Sequence, residues 1–487
     1  MPAANGPPAQ PPAILWFRDD LRLADNAALG AAAAVGRPLL ACYVLDETGA
    51  FPLGGAARWW LGRSLAALAG EISNRGGALV LRRGAAAAVL DALVDETSAA
   101  EVHCAQSFEP DGRRVERELG ELLRRRGVDL RMHAGALLFD PDTVRTGTGE
   151  PFKVFTPFWN ACLRRQVAAP RAVPRRLRFV GGNVRSERLE DWRLEPSAPD
   201  WASGLRATWT PGEAGARKRL AAFVAGPLAH YARDRDRPAA SGTARLSAHL
   251  RHGEISVRTA WTAAGSSGSR LGAGGTAFRR ELGWREFARH LLWHWPELAT
   301  EPFRPEFRRF PWRDDSDAFD RWRHGRTGYP LVDAGMRELW QTGWMHNRVR
   351  MVAASFLVKH LLLPWTRGAA WFWDTLVDAD LANNSVGWQW VAGSGADAAP
   401  YFRVFNPWLQ SRKFDSHGEY IRRWVPELAR LPSAAIHEPA SVPEPVLRGA
   451  GVELDRDYPR PIVSHPEARQ RALAAYAAAR RSPASRG

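Results

Sequence analysis

Within the first 133 residues, five short apolar runs alternate with stretches of helical spacing. The runs are 14–17 (ILWF), 38–45 (PLLACYVL), 78–82 (ALVLR), 101–105 (EVHCA) and 129–133 (DLRMH). Residues 59–75, 85–96 and 113–126 repeat apolar side chains at the helical period. Short buried strands separated by helices of this length pair in parallel, which makes residues 13–140 an α/β domain with a doubly wound parallel sheet. No G-x-G-x-x-G follows the first strand, so a dinucleotide on this sheet is not supported.

At 487 residues the chain is too long for one core. From about 141 to 211 the sequence is rich in Pro, Arg and Gly (AAPRAVPRRLRFVGGNVRS) and carries no sustained period, so a surface connector is expected there. From 212 to 480 helical periodicity dominates and defines an all-α domain. The uncharged MPAANGPPAQPPA start reads as a disordered leader over 1–12, and 481–487 as a disordered basic tail. Cys42, Cys104 and Cys162 lie far apart without ligand spacing, so neither a disulfide framework nor a metal site is expected. That cysteine usage makes a cytoplasmic, reducing compartment the default, and no apolar run reaches membrane-spanning length.

The net charge of +15 points to a polyanionic partner, nucleic acid ahead of membrane. Tryptophan is in excess: 14 of the 22 fall between Trp284 and Trp424, more than a core of that size needs.

Those tryptophans surround a polar stretch, Asp378–Trp390 (DADLANNSVGWQW). As a helix it places Asp380, Asn384 and Trp388 on one face at i, i+4, i+8, a costly set to bury without partners. An interdomain helix with satisfied polar groups and two core indoles, or a wall around a polar aromatic ligand, both fit. Glu281 and Arg285 are expected to pair at i, i+4, at about 0.3–0.5 kcal/mol. Asn347, Arg350 and Met351 share a helix face, with Arg350 a partner for Asp378. The Ser241–Ser247 run offers a hydroxyl-rich helix start of the kind that binds phosphate, or an ordinary cap.

LWFRDDLRLADNAAL, TGYPLVDAGMREL, GWMHNRVRM, ASFLVKHLL, DADLANNSVGWQWVAGSGADAAPYFRVFNP and KFDSHGEYIRRWVPEL occur in this order across nearly the whole chain. In them the sequence resembles the photolyase/cryptochrome family, and is closest to bacterial cyclobutane pyrimidine dimer photolyases of the class I or class III type. The resemblance implies an antenna-binding α/β domain and a helical domain that holds flavin adenine dinucleotide, active as FADH⁻. It places Tyr231, Thr243, Ala244, Arg245, Leu246 and Ser247 at the diphosphate and ribityl chain. Asn347, Arg350, Asp378 and Asp380 would surround the rest of the cofactor, with Asn384 facing flavin N5. Trp388, Trp365 and Trp312 correspond to the family's photoreduction chain.

Glu281, Trp284, Met351 and Trp390 match the family's lesion pocket, which with Asn384 makes up the expected catalytic set. Arg235, Arg348, Arg403 and Lys413 are the expected phosphate contacts. The implied function is light-dependent repair of UV-damaged DNA by a monomer: blue or near-UV light drives an electron from reduced FAD to a flipped-out dimer. A non-repairing cryptochrome photoreceptor is the alternative, disfavoured by Asn384, Trp390 and the lack of a long C-terminal extension. A (6-4) photolyase would need a histidine pair where Asn347 and Met351 stand. The expected antenna is 5,10-methenyltetrahydrofolate, with a deazaflavin the alternative. The stretch Glu109-Pro-Asp-Gly112 departs from the Asn-Glu pair of one folate-binding branch.

Overall fold

The computed structural model describes residues 10–181, 184–265, 271–397 and 402–481. The expected leader and tail lie outside the described residues except for 10–12 and 481. Five parallel strands, β1 (Ala13–Phe17), β2 (Leu39–Leu45), β3 (Leu79–Arg83), β4 (Glu101–Ala105) and β5 (Asp129–His133), form one sheet in the order β3-β2-β1-β4-β5. The central strand shows why its sequence does not alternate in polarity. Ala13, Leu15 and Phe17 pack under α1 (Ala27–Ala34) and α2 (Gly55–Ser73). Ile14 and Trp16 pack under α3 (Ala86–Thr97) and α4 (Pro110–Arg125). Both faces are therefore covered, as a parallel sheet requires.

The connector is more ordered than its period indicated. α5 (Phe155–Leu163) buries Phe155, Phe158, Trp159 and Cys162. Its nine residues are too few for helical periodicity to stand out, and Pro157 falls within its first turn. Beyond it, the helices that matter are Ala273–His294, Pro330–Thr342, Asn347–Ser355, Trp365–Thr375, Leu381–Ala392 and His465–Arg481. The first of these ends before Pro296, and a short 3-10 turn, Pro296–Ala299, continues the chain. Among the described residues no helix is long and apolar enough to cross a membrane, and the three cysteines are buried free thiols.

The charged stretch after β1 fastens the two domains. Asp19 pairs with Arg251 at 2.7 Å, and the Arg22 guanidinium donates to the Gly253 carbonyl at 2.8 Å. Glu213 accepts from the Leu23 amide at 2.7 Å, and Asp25 pairs with Arg258 at 2.9 Å. Deeper in the seam, Glu254 accepts from Trp60 Nε1 at 2.9 Å and also bonds the His249 ring.

Two predictions follow from the packing. Gly343 ends the helix Pro330–Thr342 in the left-handed region (φ 67°), and a Cβ there would meet Val377 at 2.7 Å. Gly343→Ala is expected to cost about 1–2 kcal/mol from the backbone alone, plus the clash, as read by urea unfolding. Burial holds His252, His290 and His360 down to about 3 and His346 to about 4, from 6.5. The unfolded chain binds protons that these rings refuse, so their stabilisation is full above pH 6.5 and is lost as pH falls from there towards 4 for His346 and towards 3 for the other three. Glu286 opposes this, because burial raises its carboxyl to about 6, so its share of stability falls as pH rises from 4.5 to 6. Near pH 5 these five groups together should take up about three protons on unfolding, and His360→Phe should lower the total uptake by about one, measured as the pH slope of unfolding free energy.

Candidate active site

One cavity of about 610 Å³ opens into the helical domain, within the range that cofactor-sized ligands use. Its walls come from five places in the sequence: Tyr231–Arg251, the helix Ala273–His294, the segment Trp344–Ala354, the end of the helix Trp365–Thr375 with Leu376, and Asp378–Ala396. All the expected cofactor-binding and lesion-contacting residues line it.

The polar stretch forms the helix Leu381–Ala392. Asp380 caps it, with Oδ1 accepting from the Asn383 amide at 2.9 Å and from Asn383 Nδ2 at 2.8 Å. Its other oxygen pairs with Arg289 at 2.6 Å. Burial opposes ionisation, yet the guanidinium groups of Arg289, Arg251 and Arg285 outweigh it and hold the Asp380 carboxyl far below its usual range. Asp380 is thus a buried carboxylate with both oxygens occupied, which is what makes a polar helix start tolerable inside the protein.

Asp378 accepts from Arg350 at 2.8 Å, the pairing expected from sequence, and Arg350 also donates to the Met345 carbonyl at 2.7 Å. The second oxygen of Asp378 is buried and without a protein partner, as is Trp388 Nε1. An acceptor left open on a cavity wall fits a ligand that carries a donor. Asn384 donates to the Ala369 carbonyl at 3.0 Å, which fixes its side chain at the wall without adding charge.

At the other end, Arg245 takes a left-handed conformation (φ 48°), lies over the Trp344 ring at 4.5 Å and approaches Glu338 at 3.8 Å. Ser247 accepts from Trp344 Nε1 at 3.3 Å. Tyr231 is buried edge-on to Phe223 and Phe278 and faces the cavity. Thr243, Ala244 and Leu246 complete this wall, with Asn347 opposite and exposed at the opening.

Glu281 does not pair with Arg285. Its partner is Arg235, while Arg285 turns inward to Glu286 at 3.3 Å and the Ala136 carbonyl at 3.0 Å. The helix places Glu281 on the cavity and Arg285 against the α/β domain's last loop, so the i, i+4 pair gives way to a tertiary ion pair for Glu281 and, for Arg285, to a tertiary carbonyl and the adjacent carboxylate. Trp284 stacks on Phe155 at 3.7 Å and 8°, leaving its other face to the cavity. Met351 and the half-buried Trp390 also line the cavity.

Of the expected phosphate contacts, Arg235 lines the cavity and is paired. Arg348 is held by Asp236 at 2.8 Å and lies over Phe414 at 4.5 Å. Arg403 and Lys413 are exposed and have no carboxylate partner among the described residues, each lying near an aromatic ring. Trp388 packs against Gly368, where any Cβ would meet its ring at 2.1 Å, and contacts Phe372 and Trp322. Trp365 is buried in the same apolar cluster, and the half-buried Trp312 packs against its edge. Sequence reasoning missed Arg251, Arg289, Asn383, Trp344 and Trp322. Only Asn383 had a local signal, as the third residue after a capping aspartate.

The residues present fit a flavin. The cavity has the size, Asp378 offers an unfilled acceptor, and Arg350, Arg245 and the hydroxyls of Thr243 and Ser247 supply donors. The model of the FAD binding domain of DNA photolyase matches residues 278–478, and that of DNA photolyase matches 13–175. A deoxyribodipyrimidine photo-lyase from Agrobacterium fabrum is 48% identical over 97% of this chain and 98% of its own. Cryptochrome-1 of Arabidopsis thaliana is 38% identical over 94% of this chain and 69% of its own. The crystal structure of a class III photolyase from Agrobacterium tumefaciens superposes with a TM-score of 0.95 over 99% of this chain and 100% of that one, at 48% identity. The chain belongs to the photolyase/cryptochrome family.

Proposed function

We propose that this protein is a deoxyribodipyrimidine photolyase, a carbon–carbon lyase that repairs cyclobutane pyrimidine dimers in UV-damaged DNA with light. The observation that carries this reading is one cavity whose inner wall is charged and hydrogen-bonding and whose outer wall is Glu281, Trp284, Met351 and Trp390. Reduced FAD bound there supplies, on blue or near-UV excitation, the electron that opens the cyclobutane ring and is afterwards returned. The rest is done by side chains. Arg350–Asp378 and Arg289–Asp380 hold the inner wall, and neutral Asn384 places an amide there without repelling an anionic cofactor. Trp284 and Trp390 present aromatic faces to an unstacked base pair, Met351 adds a polarisable contact, and the Glu281 carboxylate is positioned to bond a base edge once it exchanges Arg235 for the lesion. Arg348, Arg403 and Lys413 take flanking phosphates, and Trp388, Trp365 and Trp312 carry electrons inward from the surface. A folate antenna, 5,10-methenyltetrahydrofolate ahead of a deazaflavin, and a monomeric cytoplasmic state with nucleoid association through DNA belong to the same proposal. Domain limits of 13–140, 141–211 and 212–480 are proposed with it.

Photoreduced protein mixed with dimer-containing oligonucleotide and illuminated should restore thymine absorbance. No recovery with fully reduced flavin sinks repair in favour of a photoreceptor. Trp388→Phe should slow photoreduction by about tenfold or more, while chemically reduced enzyme repairs normally. Asp380→Asn leaves Arg289 buried without its charge partner; a loss of about 3–5 kcal/mol in unfolding free energy and lower flavin occupancy are expected, read by denaturation and by flavin absorbance per chain.

A further inference from the structure

From Pro151 to Ser186 the chain carries seven arginines and one lysine and no aspartate or glutamate. The segment starts beside the cavity, where Phe155 of α5 stacks on Trp284 and Arg280 lies over the Phe155 ring at 5.6 Å. Past α5 it becomes an extended strap pinned to the α/β domain. Arg171 and Asp25 exchange bonds, the Arg171 amide donating to Asp25 Oδ1 at 2.8 Å and its carbonyl accepting from the Asp25 amide at 2.9 Å. Leu39 donates to the Arg178 carbonyl at 2.6 Å and accepts from the Val180 amide at 2.9 Å, and Ser186 Oγ accepts from the Leu81 amide at 2.9 Å.

The strap has an inside and an outside. Val173, Leu177 and Phe179 pack against the apolar core on the α1/α2 side of the sheet. Arg164, Arg171, Arg175, Arg176 and Arg185 are exposed, and among the described residues none of their guanidinium groups meets a carboxylate. Arg165 and Arg178 donate only to neutral oxygens, those of Thr143 and Gly36. Some surface arginines elsewhere are neutralised, Arg126 by Asp91 and Asp95 and Arg456 by Glu453 and Asp457, whereas the strap carries no carboxylate of its own. A row of like charges on an anchored backbone repels itself, and a polyanion is the partner that removes that cost.

We propose that residues 164–181 and 184–186 form a second nucleic-acid surface, a track for the phosphate backbone of duplex DNA flanking the lesion. It rests on the DNA-repair reading and extends the contact from the cavity mouth onto the α/β domain. It reads no sequence, since its groups are guanidinium charges facing solvent and not a helix set for a groove.

The test replaces Arg171, Arg175, Arg176 and Arg185 together with Gln, none of them a cavity residue, with the four Lys replacements as the charge-preserving control. Affinity is measured against salt for duplexes of about 10 and about 40 base pairs, each carrying one dimer, with repair assayed on both. The Gln variant should lose about two to four units of the log–log salt slope on the long duplex, at about 0.9 per phosphate contact. It should bind and repair the short duplex as the parent does, and the Lys variant should keep the slope. An unchanged slope on the long duplex overturns the proposal and leaves a merely solvated face. Equal losses on both lengths overturn it as a disturbance of the cavity. If the parent repairs neither duplex and yet the slope falls, the repair reading fails and the strap stands.

Discussion

Two buried arginines hold the molecule in its working shape. Arg251 pairs with Asp19 beyond β1 and donates to the Ala379 carbonyl at 2.7 Å, while Arg289 pairs with Asp380. Each is nearly inaccessible, and a buried cation without its anion costs several kcal/mol. The α/β domain, the cavity wall and the long helix Ala273–His294 must therefore close together or not at all. The same charges hold Asp380 ionised, and the ionised Asp380 starts the helix that bears Asn384, Trp388 and Trp390.

That helix is secured at its other end by an equally buried group. Lys359 donates to the Ala392 carbonyl at 2.6 Å and lies beneath the ring of Phe402. Burial lowers its ammonium well below the usual range, and a helix carbonyl and an aromatic face are the partners it meets there. With both ends fixed, the spacing along one helix becomes a spacing in the cavity: Asn384 on the inner wall, Trp388 at the seam and Trp390 towards the opening. Pre-organisation of this kind suits electron transfer, where orientation is the protein's main contribution.

Much of this was legible in the residues. The five strands and three of their helices follow from apolar runs and period, because a parallel sheet covered on both faces leaves no room for polar alternation. The pairing of Arg350 with Asp378 was visible because both stood where a polar wall needed charge balance. The i, i+4 pairing of Glu281 with Arg285 failed because helix geometry sets only who is near along one helix, and Arg235 and the Ala136 carbonyl, both from outside it, offered partners. α5 was hidden by its length, and its order comes from Trp284 and Phe287, far along the chain.

The sequence by itself determined the fold class, the family and about half of the residues on the cavity wall, since local pattern and motif order suffice for those. Only the tertiary structure decided who neutralises whom. Asp19 with Arg251 and Asp380 with Arg289 are separated by 232 and 91 residues, and no periodicity reaches that far. The basic connector divides along the same line: its composition was plain from the start, but its apolar inside and unpaired outside exist only because β2 and β3 hold it down.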